Sequence, residues 1–159
     1  MTDILESSSA TDLLLYRWLQ AKRSVQPSNA ALGARPQTEV IRLPEELEPL
    51  VNEMLELRKL SRNWNSYGGR PPTWIAIAAV AKLFQDVAWS GPIPRVVPMG
   101  SGGIHLEWGN DDESVEIEAS ADGHLSALIE AGSQFAEGAI EDLNDPLLAD
   151  VLTWASKLG

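Results

Sequence analysis

The side chains best suited to chemistry in this sequence lie on and beside predicted strands. His105 and Glu107 alternate with apolar residues on one strand, and Glu116 and Glu118 do so on the next. Imidazole and carboxylate together form a ligand set for a divalent metal, provided that the strand register brings them opposite one another. His124 follows a second predicted turn and would share that face. The ordinary alternative is a solvated face, since alternating Glu is typical of an exposed strand.

A second candidate site is the segment 62–73, RNWNSYGGRPPT, between two predicted helices. As a ligand site, it would stack a planar group on Trp64 and Tyr67. Tyr67 and Arg70 are the strongest functional candidates within it. This interpretation gives a ligand-binding alternative for the protein.

Turn chemistry offers a second account of the same segment. Asn63 would end one helix, Trp64 would fill the core, and Gly68 and Gly69 would adopt positive φ. The two prolines would then begin the next helix. Because each residue has such a local role, the sequence favours a structural joint over a ligand site.

Support for catalysis is thin. The chain has no cysteine and two histidines, and it contains no Gly-x-Ser-x-Gly or His-Glu-x-x-His motif. The glycine-rich residues 100–103 precede a predicted strand, whereas phosphate-binding loops follow a strand and open a helix, so we predict a turn there. Asp111, Asp112 and Glu113 lack the ligand spacing of a calcium-binding loop. The sequence therefore favours a non-enzymatic protein, predicts no cofactor, and leaves an enzyme as the less favoured class.

Charge is distributed unevenly along the chain. The formal net charge is −11, and residues 96–156 contain 13 Asp or Glu and no Lys or Arg. Such a surface repels phosphate backbones, so we expect no direct nucleic-acid binding by this part. The acids can serve solubility alone or present a negative surface to a basic protein partner. The residues predicted to form that surface are Glu107, Asp111, Asp112, Glu113, Glu116 and Glu118.

The first 40 residues are predicted to form a separate part of the chain. Residues 1–23 predict an amphipathic helical segment, and residues 24–40 predict a flexible linker rich in Ser, Ala, Pro and Gly. The apolar face of the helix includes Leu13, Leu14 and Trp18, and such a face needs a cover. We expect it to dock in a groove of the partner or to mediate homo-oligomerisation.

Residues 41–159 predict one α+β domain. One helix begins at Pro44 and runs to about Arg62, and a second begins after a Thr73 cap. An antiparallel meander of three or four strands follows, and a last helix begins at an Asp145 cap. The side chains predicted to face the core from the strands are Ile104, Leu106, Trp108, Val115 and Ile117.

Composition and the N-terminus bear on the compartment. No apolar run approaches the roughly 20 residues that span a bilayer, and the acidic start, MTDILE, lacks the features of a signal peptide. The lack of cysteine excludes disulfides and fits a reducing compartment. We therefore expect a cytoplasmic protein with no membrane partner.

Two sequence boxes resemble those of a known group of proteins. NWNSYGGRPP at 63–72 and PRVVPMGSGGIHLEW at 94–108 are followed by VEIEASADG at 115–123. This arrangement resembles a family of uncharacterised bacterial proteins with an Asn-Trp-Asn/Asp-Ser-Tyr-Gly box and a Gly-Gly-Ile-x-Leu-Glu-Trp box at similar separation. The resemblance covers roughly residues 60–123. It implies a bacterial source and a grouping, without a mechanism.

The charge pattern predicts a non-enzymatic acidic binding protein, of the inhibitor, antitoxin-like or nucleic-acid-mimic type, that engages a basic macromolecular partner. The alternative, which includes an enzyme, is a small-ligand or metal-binding protein that uses the loop of Tyr67 and Arg70 and the sheet face of His105 and Glu107. Salt-sensitive association with a basic protein favours the first class, and thermal stabilisation by a small molecule favours the second.

Overall fold

A computed structural model describes residues 41–158 of the chain. It has the elements α1 (Glu48–Leu57), α2 (Trp74–Asp86), β1 (Arg95–Pro98), β2 (Ile104–Gly109), β3 (Glu113–Ala119), β4 (Leu125–Ala131), β5 (Gln134–Ile140) and α3 (Pro146–Ala155), with a 3₁₀ turn at Glu45–Leu47. The predicted α+β class is therefore confirmed. The predicted N-terminal helix and linker, with the docking residues Leu13, Leu14 and Trp18, lie outside the described residues.

The strands form one antiparallel sheet in the order β1-β2-β3-β4-β5. The prediction of three or four strands was wrong, because β5 is a fifth. Its sequence, QFAEGAI, contains Gly138, has no β-branched residue before Ile140 and lacks regular alternation, so local preference for a strand is weak. Its conformation depends instead on pairing with β4 from Leu125↔Ile140 to Ala131↔Gln134.

All three helices pack on one face of the sheet and share a single core with it. The predicted inward strand residues are buried, and α1 adds Leu50, Val51 and Met54. At one end, Phe84 packs against Trp89 and Trp108 with ring centroids 6.1 and 6.3 Å away. The alternation of the strands consequently directs the other side chains of each strand to the opposite face.

The helix ends agree with the sequence in part. Thr73 and Asp145 cap α2 and α3 as predicted, since their side chains accept hydrogen bonds from the backbone N–H groups of Ala76 and Leu147. The first helix was predicted to run to about Arg62, but α1 ends at Leu57. The residues directly after it form local hydrogen-bonded turns, from Arg58 to Leu60, that lead into the loop between α1 and α2.

Candidate functional site

The face of the sheet opposite the helices collects acidic side chains from four neighbouring strands. Alternation and register place one on β2, two on β3, one on β4 and one on β5. We call this surface the acidic face, and its carboxylates are Glu107, Glu116, Glu118, Glu130 and Glu137. Two basic side chains from the strands, Arg95 and His105, lie on the same face.

His105 lies between two of these carboxylates. Its Nδ1 is 3.1 Å from Oε1 of Glu118, which pairs with it across the strands, and its Nε2 is 3.6 Å from Oε2 of Glu116. Only 19% of the His105 side chain is exposed. The imidazole is thus held within a partly desolvated group of acids.

Glu107 has a different partner. Its Oε2 accepts hydrogen bonds from Nη2 and Nε of Arg95, at 2.6 and 3.1 Å. Potential ligand atoms of His105, Glu116 and Glu118 lie within 4.8 Å of one another. Three of the four residues predicted to bind a metal therefore lie close together. Glu107, the fourth, forms a salt bridge outside that cluster.

Charge and burial perturb the Glu116 carboxyl. Burial raises its pKa above the ordinary value, and the nearby His105 partly opposes this shift. The carboxylates of Glu107, Glu118 and Glu130 raise that pKa further through like-charge repulsion. The raised pKa of Glu116 therefore reflects mainly its partial burial, with like-charge repulsion from the neighbouring carboxylates as a smaller contribution.

A shallow depression of about 410 Å³ lies on the acidic face between β3 and β5. Leu128 lies at its apolar part, and Glu116, Glu118 and Glu137 contribute carboxylates to its lining. Ser126 on β4 adds a hydroxyl. The depression therefore combines an apolar wall with several hydrogen-bond acceptors.

Three of the residues predicted for the acidic surface lie apart from this face. Asp111 and Asp112 are exposed in the β2–β3 turn, where Oδ1 of Asn110 accepts the backbone N–H of Asp112. Glu113 begins β3 with the alternation of Val115, so it belongs to the helix-covered side. These acids lie at the end of the sheet and do not join the carboxylates around His105.

The placement predicted for His124 was wrong. His124 precedes β4 in a turn, its side chain is 86% exposed, and its Nε2 lies 3.4 Å from Oδ2 of Asp122. A hydrogen bond from Ser120 lowers the pKa of the Asp122 carboxyl. His124 follows the turn at Asp122-Gly123 and precedes β4, so it lies outside the strands that form the face.

The loop between α1 and α2 has the contacts of a joint. Nε1 of Trp64 donates to the carbonyl of Arg70 at 3.1 Å, and Nη2 of Arg70 donates to the carbonyl of Ser101 at 3.1 Å. Tyr67 is 93% exposed at the loop tip. Two members of the ligand-binding alternative are therefore engaged in internal hydrogen bonds, and the third projects into solvent.

Two details predicted for this loop were wrong. Trp64 is half-buried and lies outside the core cluster, and its indole N–H donates to the carbonyl of Arg70. Gly68 has φ +81° as expected, but Gly69 does not share that conformation, and Asn63 adopts φ +64° in its place. Asn tolerates this region because its side chain bonds locally, here by accepting the N–H of Gly68.

Sequence reasoning missed Glu130 and Glu137 as members of the acidic face. The sequence predicts a strand at 124–129, so Glu130 falls just beyond its end, and Glu137 lies on β5, which was not predicted. A signal was present, since Gly132-Ser133 is a two-residue turn of the kind that joins hairpin strands. Reading that turn as a hairpin would have extended β4 and added β5.

No family model, curated protein or solved structure matches the chain. The resemblance to proteins with the two sequence boxes stays a prediction. Among residues 41–158, no helix has the length and apolar character that a membrane span requires.

Proposed function

We propose that the protein binds a basic segment of a macromolecular partner through the acidic face. The observation that carries this proposal is the concentration of five carboxylates on one side of the sheet. Of the two strand bases there, Arg95 is engaged with Glu107, and His105 lies between Glu116 and Glu118. A surface of this kind attracts cationic groups and repels phosphates.

The depression between β3 and β5 has the chemistry to receive one cationic side chain. Leu128 offers an apolar wall for the methylene groups of a lysine or arginine. Glu116, Glu118 and Glu137 offer acceptors for the charged end. Because a guanidinium is planar and carries several donors, it can engage two carboxylates at once. We therefore expect an arginine-rich segment to bind more tightly than a lysine-rich segment of the same charge.

The competing account is that these carboxylates serve solubility alone. Under that account, the position of each charge is unimportant, and a polycation responds only to the net charge of the protein. Two variants with equal net charge, altered on and off the acidic face, separate the two accounts.

A fluorescein-labelled oligo-arginine peptide is the probe, and fluorescence anisotropy at low and high salt reports its affinity for the full chain. The variant of the acidic face is Glu116→Gln/Glu118→Gln/Glu137→Gln. The matched control removes the same charge from exposed positions of the 3₁₀ turn and α1, and it is Glu45→Gln/Glu46→Gln/Glu53→Gln. An oligo-glutamate peptide of the same length serves as the probe of opposite charge and should not bind.

Each exposed ion pair contributes up to about 1 kcal/mol, so losing three on the acidic face should raise Kd roughly tenfold or more at low salt. The control should change Kd less than about twofold, since its charges lie among the helices. Equal weakening by both variants would support the solubility account. Unchanged binding in both would exclude the acidic face as the contact surface.

A further inference from the structure

The cluster around His105 has features that attraction of a basic partner does not require. We propose that His105 and Glu116 bind a divalent transition-metal ion of the zinc class and that Glu118 positions the imidazole. This inference goes beyond partner binding and does not depend on it. One potential ligand atom from each residue lies within 4.8 Å of the others. Imidazole and carboxylate are ligands that Zn²⁺ and Co²⁺ accept.

The contact between His105 and Glu118 prepares the imidazole for a metal. Nδ1 of His105 lies 3.1 Å from Oε1 of Glu118. Because an ionised carboxylate only accepts hydrogen bonds, a neutral ring in this position carries its proton on Nδ1 and keeps the lone pair on Nε2. Metal-binding histidines have such a partner on the second nitrogen, which orients the ring and makes it a better donor. Glu118 is thus a positioning residue, and Nε2 is the metal ligand.

Glu116 supplies a carboxylate beside that nitrogen. Its Oε2 lies 3.6 Å from Nε2 of His105, which is too long for a good hydrogen bond. Two ligand atoms about 2.1 Å from a tetrahedral Zn²⁺ are about 3.4 Å apart. The observed separation therefore needs only a small adjustment to accept a metal between the two atoms. Zn²⁺ in proteins is usually four-coordinate, so water would have to supply the positions that His105 and Glu116 leave open.

The sheet holds these donors in place. His105 pairs directly with Glu118 across β2 and β3, and Glu116 belongs to the next pair on the same face. The His105 and Glu116 side chains are 19% and 23% exposed, which limits the conformations that they can adopt. A divalent cation here would also offset the repulsion between Glu116 and Glu118.

The second histidine of the chain provides a matched control. His124 also lies beside a carboxylate, with 3.4 Å between its Nε2 and Oδ2 of Asp122, but it is 86% exposed. Within residues 41–158, the cluster with metal-type spacing contains His105 and not His124. The chain has two histidines and no cysteine, so only two imidazole rings contribute ring ¹⁵N signals and no thiolate competes for the metal.

The experiment titrates the full chain with Zn²⁺ alone and follows the ring ¹⁵N signals of both histidines by NMR. Co²⁺ is added in a parallel titration, with visible absorption as a report on coordination. We expect the Nε2 signal of His105 to move on saturation with Zn²⁺, and the His124 signals to stay unchanged. An excess of Zn²⁺ that leaves the His105 signals in place, or moves both rings alike, overturns the proposal without any variant.

The variants test each role. His105→Gln should abolish Zn²⁺ binding, and Glu116→Gln should weaken it roughly tenfold, whereas His124→Gln should bind as the unaltered chain does. Glu118→Gln should keep the metal on Nε2, as seen in the ring ¹⁵N signals, and weaken binding about tenfold. Equal affinity in the His105→Gln and His124→Gln variants overturns the proposal. Oligo-arginine binding without Zn²⁺ binding overturns this inference alone, and the reverse result overturns only the proposed function.

Discussion

The hydroxyl of Thr73 caps α2 and also connects the start of that helix to the turn that follows β3. Oγ1 accepts the N–H of Ala76 at 3.1 Å, which caps the helix, and donates to the carbonyl of Ala121 at 2.5 Å. Thr73→Val removes the hydroxyl and keeps the branched shape. Both partners lose a hydrogen bond in a part-buried region. We therefore expect the variant to unfold more easily than the unaltered chain.

The size of the effect follows from the two bonds. Loss of a threonine cap costs about 1 kcal/mol, and loss of a hydroxyl-to-carbonyl hydrogen bond costs about 1 kcal/mol more. The expected loss in the free energy of unfolding is about 2 kcal/mol, which corresponds to a fall in Tm of roughly 5–10 °C for a domain of this size. Urea denaturation followed by circular dichroism measures the first quantity, and calorimetry measures the second.

Thr73→Ser is the matched control, because it keeps the hydroxyl and removes only a methyl group. It should lose less than about half as much stability as Thr73→Val. If the two variants lose the same amount, the methyl group and not the hydroxyl is responsible, and the reasoning is refuted. A Thr73→Val variant as stable as the unaltered chain would refute it as well.

Two further predictions concern the joint and the acidic face. Asn65→Ala removes the Oδ1 that accepts the N–H groups of Tyr67 and Gly69, so the free energy of unfolding should fall by about 1–2 kcal/mol in urea denaturation, while Asn65→Asp should retain most of it. Because the folded-state pKa of Glu116 is raised, its contribution to stability is fully present below the unfolded-state pKa of about 4.3 and is lost as pH rises through the folded value. In EDTA, the stability of Glu116→Gln relative to the unaltered chain should therefore increase across that window, and a difference that is flat or falls with pH would contradict the assigned cause.

Local sequence was sufficient to predict features that depend on neighbouring residues alone, such as helix caps, strand faces and turns. The caps at Thr73 and Asp145 were predicted because a side-chain oxygen at a helix start satisfies free N–H groups next to it. The inward row of β2 and β3 was predicted because side chains on a strand alternate, and a one-residue shift would expose the whole apolar set. The turn residues GNDD at 109–112 likewise predict a hairpin, and Gly109 at φ +113° lies where β2 turns into β3.

Local sequence was insufficient to predict features that depend on contacts with a distant part of the chain. Trp64 is a large aromatic residue of the kind that fills a core, yet its indole N–H donates to the carbonyl of Arg70. Strand β5 has weak preferences of its own and is ordered by its partner β4. Glu137 enters the acidic face only through that pairing, so its neighbours there are set by the register of β5 against β4.

The sequence by itself determined the α+β class, the faces of the predicted strands and the negative charge of the C-terminal part, because each depends on residue type and period alone. Tertiary structure decided which carboxylates meet. The register of β2 against β3 places His105 opposite Glu118, and pairing with β4 and β5 brings Glu130 and Glu137 to the same face. Period specifies the side of a strand on which a residue lies, but only the register specifies its neighbours, and charge interactions depend on those distances.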